Sequence, residues 1–425
     1  APAQAPGGLR RHRLPARAPA ARQVLVLHGL LQDSESLVCG ERSSIVWALA
    51  SAGMDVWLGD CRGSRYSPPA APPAAATGAA RGSAWRYGYD DIALLDVPAM
   101  VDRITSESGA RQVSIVGFSQ GAVAALLAAS LAPGAASKIA AICAISPPLR
   151  PAGLRIGALS AILSASPQWV TAVMGPGQAM HWLPAAQAML PPGCWAAAVR
   201  GAMGWLFGWS LRHWPQDPAQ SERLCRHVAS SAGTALLAHW FQTIAHGGLV
   251  TRDPAELRCG TGCSAEGCWG AVSLPLSVRR ASVPVLAVAG GADRFVDVPS
   301  LGALLPAGAE VLVVPDMEHL DPIWGSSAGV DVFPAVCEFL GREAGADGER
   351  GRDTDRQGTV EGSATEGSDA SDAGVHGAGT RRGDRGAVAA SLPEAAPAAL
   401  PVRAVALQPP QAAAAAAEAL QPPQA

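Results

Sequence analysis

Short apolar runs, bounded by turn-forming residues, recur along the chain and indicate its architecture. The runs are QVLVLHG (23–29), DVWLGD (55–60), VSIVG (113–117), IAAICAIS (139–146), VPVLAVAGG (283–291) and EVLVVPD (310–316). Because they are apolar on both faces, they are typical of parallel strands that helices cover on both sides. Helical patterns such as SSIVWALASAG and SQGAVAALLAASLA lie between them. Strand and helix therefore alternate, which predicts an α/β fold with a mostly parallel, doubly wound sheet.

Two stretches depart from this alternation. Residues 150–250 contain seven of the 12 Trp, and no Asp, Glu, Lys or Arg lies between Arg155 and Arg200. After about residue 345, large apolar residues become rare, so burial cannot offset the chain entropy that folding would cost. We therefore divide the chain into a partial or disordered N-terminal segment (1–22), the first part of a core domain (23–149), an inserted helical cap or lid (150–250), a loop insertion (251–281), the second part of the core (282–344) and a disordered low-complexity tail (345–425).

The charge balance excludes some partners but leaves the compartment open. The 425 residues carry 32 Lys and Arg against 35 Asp and Glu, and 49% are hydrophobic. A large core is expected, and a nucleic-acid partner is not. No signal peptide is visible after Ala1. Association with a lipid droplet or membrane is one alternative, and secretion or a lysosomal location is another if the N-terminus is truncated.

The nine cysteines are too sparse for a disulfide scaffold in a chain of this length. Three of them, Cys259, Cys263 and Cys268, cluster in CGTGCSAEGC. Their spacing matches no zinc motif, and no histidine is close to them in sequence. We interpret the segment as a loop insertion and predict no metal.

The strongest candidate for chemistry is Ser119, in the stretch VSIVGFSQGAVAALLAAS. It follows a strand pattern and precedes a helix pattern, which is the context of a nucleophile elbow, a sharp turn that exposes a serine above an α/β sheet. Gly117 and Gly121 suit such a turn because the strand and helix approach closely there. The same G-x-S-x-G pattern occurs around Ser327 in GSSAG, but no strand leads into it, so we interpret that match as accidental.

A nucleophilic serine requires a base, a carboxylate that orients the base, and donors for the oxyanion. Asp293 and His319 each follow a predicted strand, so that Ser, Asp and His occur in the order expected for this arrangement. Asp297 is the alternative carboxylate. The backbone N–H groups of Leu30 and Gln120 are the predicted oxyanion donors, and His28 is expected to shape the loop that carries Leu30.

Together these segments resemble the acid lipase family of α/β-hydrolases, which contains gastric and lysosomal lipases and fungal steryl ester hydrolases. The similar segments are HGLLQDSESLV, LASAGMDVWLGDCRGSRYS, WRYGYDDIALLDVPAMVDRI, GFSQG (family GHSQG), SAGTALLAHWFQTI, GGADRFVD and EHLDPIWG (family NHLDFIWG). Phe118 and Pro322 depart from the family pattern, and the N-terminal strands that usually precede LRRHRLP in the family are expected to be missing. The resemblance implies an α/β-hydrolase fold and no metal or organic cofactor. It also implies the roles already given to five residues: the nucleophile Ser119, the carboxylate Asp293, the base His319, and the oxyanion donors Leu30 and Gln120.

The expected function is that of a serine ester hydrolase, a lipase that cleaves lipid esters such as triacylglycerols or steryl esters through an acyl-enzyme intermediate. Several Pro residues exclude one straight spanning helix in the cap, and Trp205, Phe207 and Trp209 in GWLFGW are predicted to contact lipid. A small-ester carboxylesterase and a catalytically impaired lipid-binding protein are the alternatives. The sequence predicts neither the choice between the two lipid esters nor the oligomeric state.

Overall fold

The computed structural model describes residues 8–11, 21–69, 83–228, 230–252 and 275–342. The predicted tail (345–425) and the cluster of Cys259, Cys263 and Cys268 lie outside these residues. Most of the predicted N-terminal segment and of the loop insertion lies outside them as well.

A single seven-stranded sheet organises the described chain. Its strands are β1 Gly8–Arg11, β2 Gln23–Leu27, β3 Asp55–Asp60, β4 Val113–Phe118, β5 Ile139–Ile145, β6 Val285–Gly290 and β7 Glu310–Val314, in the spatial order β1-β3-β2-β4-β5-β6-β7. Strands β2 to β7 are parallel, and β1 pairs antiparallel with β3. All six predicted strands are present, which confirms the doubly wound α/β sheet. Strand β1 was not predicted, because GLRR carries a single large apolar residue.

The helices fall into three groups along the chain: before the predicted cap, between β5 and β6, and after β6. Those before the cap are α1 Ile45–Ser51, α2 Tyr89–Asp91, α3 Val97–Ser108, α4 Gln120–Leu131 and α5 Pro133–Ala136, with a π-helical turn at Ile92–Asp96. Those between β5 and β6 are α6 Gly157–Ala165, α7 Pro167–Met174, α8 Leu183–Met189, α9 Pro192–Phe207, α10 Pro218–Arg226 and α11 Thr234–His246. Those after β6 are α12 Val298–Leu304, α13 Asp321–Trp324, α14 Ala328–Asp331 and α15 333–342.

The sheet has a separate hydrophobic core on each face. Leu25 and Leu27 of β2 point into one core, together with α3 and α4. Val24 and Val26 point into the other, together with α1 and α15. This alternation follows from the period of two along a strand, and it explains why the runs are apolar on both faces.

Six short helices, α6 to α11, form the segment between β5 and β6. Pro167 and Pro192 lie in the first turns of α7 and α9, where a missing N–H leaves no intrahelical bond unmade. The prolines therefore divide the uncharged part of this segment, residues 156–199, among several helices. Among the described helices, none has both the length and the apolar character needed to cross a bilayer.

Candidate active site

Ser119 lies at the turn between β4 and α4, where the backbone adopts an unusual conformation. Its φ is 51° and its ψ is −115°, a region that residues with a side chain rarely occupy. A Cβ at Gly117 would lie 2.6 Å from backbone atoms of Ala122, and a Cβ at Gly121 would lie 2.7 Å from the carbonyl oxygen of Leu27. Both positions therefore require glycine, as the elbow prediction expects.

A continuous line of hydrogen bonds joins Ser119, His319 and Asp293. His319 Nε2 lies 2.9 Å from Ser119 Oγ, and His319 Nδ1 lies 2.8 Å from Asp293 Oδ2. All three residues are buried. If Nδ1 carries the imidazole proton, it donates to the carboxylate, and Nε2 is left to accept from the serine hydroxyl. The arrangement can move a proton from the hydroxyl to the imidazole.

The alternative carboxylate, Asp297, serves a different purpose. Its side chain accepts from the N–H of Ser300 at the start of α12 and pairs with Arg150 at 3.3 Å. Asp293 contacts His319 through Oδ2, while its Oδ1 accepts from the N–H of Phe295 at 2.7 Å. The structure therefore brings Asp293, and not Asp297, to the imidazole.

The second G-x-S-x-G match has none of this geometry. Ser327 is the residue before α14, with an ordinary φ of −96°. Its carbonyl oxygen accepts from the N–H groups of Val330 and Asp331, as in the first turn of a helix. No strand leads into it.

The two predicted oxyanion donors are the backbone N–H groups of Leu30 and Gln120. Within the described part of the chain, no acceptor bonds the N–H of Leu30 or of Gln120. His28 shapes the Leu30 loop: its Nδ1 bonds the carbonyl of Gly29 at 2.8 Å, and its Nε2 accepts from the N–H of Cys61 at 3.1 Å. This loop lies close to the elbow, since a Cβ at Gly121 would lie 2.8 Å from the carbonyl oxygen of His28. The role of the two N–H groups as oxyanion donors stays a prediction.

Residues 23–174 match the family model described as the α/β hydrolase fold. The chain therefore has the α/β-hydrolase fold. A probable lipase of Schizosaccharomyces pombe is 30% identical over 317 residues, covering 74% of this chain and 65% of the relative. Human lysosomal acid lipase/cholesteryl ester hydrolase is 26% identical, covering 75% and 79%. These relatives confirm the resemblance to acid lipases.

One solved structure to which the chain is similar is the monoacylglycerol lipase of Paleococcus ferrophilus. It is 16% identical, with a TM-score of 0.47, and the match covers 79% of this chain and 99% of that one. The chain spans about two thirds of the length of the S. pombe relatives that it matches, between 65% and 69%.

Several residues lie around the imidazole although the sequence did not predict them there. Ser146, directly after β5, donates its hydroxyl to the carbonyl of His319 at 3.0 Å and has a φ of 48°. Phe118, Trp209 and Phe295 have ring centroids 5.5 to 5.6 Å from that of His319. The strand-end position of Ser146 was the only signal in the sequence, since its partner lies 173 residues away.

The three aromatic residues predicted to contact lipid occupy different environments. Trp205 is 61% exposed, Phe207 is partly buried, and Trp209 is only 8% exposed. Phe207 packs on Trp209 with a centroid distance of 4.6 Å. Only Trp205 presents the surface that a lipid contact requires in this conformation, whereas Trp209 covers the imidazole.

A second buried cluster supports the elbow from the side of the cap. Trp240 in α11 donates its indole N–H to the side-chain oxygen of Gln120 at 2.9 Å. Its neighbour His239 stacks on Tyr89 at a centroid distance of 3.8 Å. Burial lowers the pKa of His239 to about 4, although the carboxylate of Asp90 partly opposes this shift. Among the described residues, no group of His, Cys, Asp and Glu has the geometry of a metal site.

Proposed function

We propose that this α/β-hydrolase is a serine carboxylic ester hydrolase that acts on lipid esters through an acyl-enzyme. The observation that carries the proposal is the line from Ser119 Oγ to His319 Nε2 and from His319 Nδ1 to Asp293 Oδ2, at 2.9 and 2.8 Å. These distances lie within the range that nucleophile activation requires. Relatives named as lipases support the same reaction class.

The first half of the reaction forms the acyl-enzyme. Ser119 Oγ attacks the ester carbonyl while His319 Nε2 takes the hydroxyl proton, and the carboxylate of Asp293 stabilises the imidazolium that results. The N–H groups of Leu30 and Gln120 donate to the oxyanion. When the tetrahedral intermediate collapses, the ester C–O bond breaks, and the imidazolium returns its proton to the departing alcohol.

The second half releases the fatty acid. His319 takes a proton from water, the hydroxide attacks the acyl carbonyl, and the same N–H pair stabilises the second oxyanion. The proton then passes back to Ser119 Oγ as the acyl bond breaks. Ser119, His319 and Asp293 are all buried. In a site shielded from water, hydrogen-bond donors and charges that are already in place stabilise the transition state more strongly, because they do not need to reorganise during the reaction.

A fluorophosphonate probe tests the proposal, because it reacts only with an activated serine. Wild-type protein and Ser119→Ala are incubated with the probe, and ester hydrolysis is measured in parallel. We expect Ser119→Ala to lose both labelling and turnover. Ser327→Ala is the matched control, since it removes a serine from the same sequence pattern, and both readouts should be unchanged. Equal labelling of wild type and Ser119→Ala would refute the proposal, and absence of labelling in the wild type would favour an impaired lipid-binding protein.

The surface of the cap supports a lipid ester as the substrate. Residues 156–199 contain no Asp, Glu, Lys or Arg, and several of the exposed large apolar side chains of the described chain lie on the cap: Ile162, Trp169, Val173, Trp182, Met189, Leu190 and Trp205. An apolar patch of a few hundred Å² is about the size that marks an interaction surface. Burying it at about 25 cal/mol per Å² would stabilise contact with lipid by several kcal/mol.

Comparison of two substrate forms tests this second part. The triple variant of Trp169, Trp182 and Trp205 to Ser should hydrolyse a soluble short-chain ester at the wild-type rate but lose most activity on emulsified long-chain esters. Trp47→Ser is the control, because Trp47 is exposed outside the cap. Equal loss on both substrate forms would show that the cap residues act only in packing. If the wild-type protein hydrolysed the soluble ester but not the emulsified esters, it would instead be a small-ester carboxylesterase.

A further inference from the structure

Glu318, the residue before His319, forms hydrogen bonds to the loop that follows α9 in the cap. Its Oε1 accepts from the N–H of Ser210 at 2.7 Å, and its Oε2 accepts from the N–H of Leu211 at 3.0 Å. These contacts span more than 100 residues of sequence. Hydrogen bonds to a carboxylate are about twice as strong as bonds between neutral groups. The loop after α9 is therefore anchored directly beside His319.

The residue before this anchor is Trp209, which covers the imidazole. The two rings lie nearly parallel, 14° apart, with centroids 5.6 Å apart. The indole is buried, yet within the described chain its N–H finds no acceptor. No hydrogen bond of its own holds the ring, so its position depends on packing and on the two bonds that Glu318 makes to the next two residues.

The bond from the imidazole to Asp293 leaves one motion of the ring that its neighbours can restrain. A hydrogen bond at Nδ1 fixes one point of the ring, but the ring can still turn about the Nδ1–H···O direction. Such a turn would move Nε2 away from Ser119 Oγ. The neighbouring rings resist that motion: Trp209 lies nearly parallel to the imidazole at a centroid distance of 5.6 Å, and Phe118 and Phe295 are tilted against it at 5.5 Å.

We infer that Glu318 is a positioning residue for the reaction: it holds the cap loop so that Trp209 keeps the imidazole aligned with Ser119. The inference rests on the proposed function and adds a residue to it. The family motif has asparagine at this position, and an asparagine side chain offers one acceptor oxygen, whereas Glu318 offers two.

The test uses the full chain and a soluble ester. Glu318→Ala and Trp209→Leu should each lower kcat by about 10- to 100-fold, the cost of a misplacement of about 1 Å, with KM within about twofold of wild type. Glu318→Gln keeps one acceptor and Trp209→Phe keeps a ring, so both should recover most of the rate. The double variant Glu318→Ala with Trp209→Leu should be no slower than the slower single variant, because both changes remove the same contact.

Glu310→Ala is the matched control. Glu310 also makes two carboxylate contacts, to Arg342 at 2.8 and 2.9 Å, but from the opposite end of β7. Its kcat should be unchanged. Three results would overturn the inference: wild-type kcat in Glu318→Ala, losses that multiply in the double variant, or a loss of thermal stability that accounts for the loss of rate in Glu318→Ala and Trp209→Leu. In each of these cases, continued labelling of Ser119 in the wild type would leave the proposed function standing.

Discussion

Replacing Asp293 by Asn tests the acid assignment in the most direct way. The substitution keeps the size of the side chain and one oxygen, which can still accept from the N–H of Phe295 at 2.7 Å. The new amide NH2 then faces His319 Nδ1, where the carboxylate Oδ2 had accepted at 2.8 Å. Two donors cannot bond each other, so the imidazole moves its proton to Nε2. In that tautomer it cannot accept the proton of Ser119.

The expected loss is large. In triads of this kind the equivalent change lowers kcat by about 10⁴-fold, which corresponds to about 5 kcal/mol in the activation free energy. Asp297→Asn is the matched control. An asparagine still caps α12 through the N–H of Ser300, and the lost pair with the half-exposed Arg150 is worth about 0–1 kcal/mol.

The assay is kcat and KM on a soluble ester, with the melting temperature of each variant measured in parallel. Asp293→Asn should lose activity while staying folded, and Asp297→Asn should keep a rate within about twofold of wild type. A near-normal rate in Asp293→Asn, together with a loss of several orders of magnitude in Asp297→Asn, would show that the wrong carboxylate had been assigned.

Two further predictions concern stability. Gly121→Ala should lower the free energy of unfolding by about 1–3 kcal/mol, because its methyl group would lie 2.7 Å from the carbonyl oxygen of Leu27; chemical denaturation measures this, and an unchanged midpoint would contradict the close approach. Burial lowers the pKa of His239 from 6.5 to about 4, so the imidazole is neutral in the folded protein. The unfolded chain takes up a proton at a higher pH than the folded protein does. The free energy of unfolding should therefore be unaffected by His239 above pH 6.5 and fall by about 3 kcal/mol as the pH decreases toward 4. His239→Gln should flatten that dependence, and an equal slope in both proteins would show that other groups cause it.

The sequence predicts the sheet and the elbow well because both depend on local patterns. Apolar runs identify β2 to β7, and the strand, Gly-x-Ser-x-Gly and helix order identifies Ser119. Asp293 and His319 could also be predicted, because parallel strands place their carboxyl ends at one edge of the sheet. Strand β1 was not predicted, since four residues with one large apolar side chain carry too weak a pattern.

The contacts around the imidazole join residues that are far apart in the sequence, so no local pattern predicts them. The bond from Ser210 to Glu318 joins residues 108 positions apart, and nothing in either local pattern points to the other. Trp205 and Trp209 share one apolar segment, yet Trp205 is exposed and Trp209 lies against His319. What separates them is the turn at Gly208, whose φ of 75° ends α9 and redirects the chain. Within five residues the cap thus contributes both to its apolar outer surface, through Trp205, and to the inner wall of the site, through Trp209. The path of the chain after α9 determines which of the two residues faces outward and which faces His319.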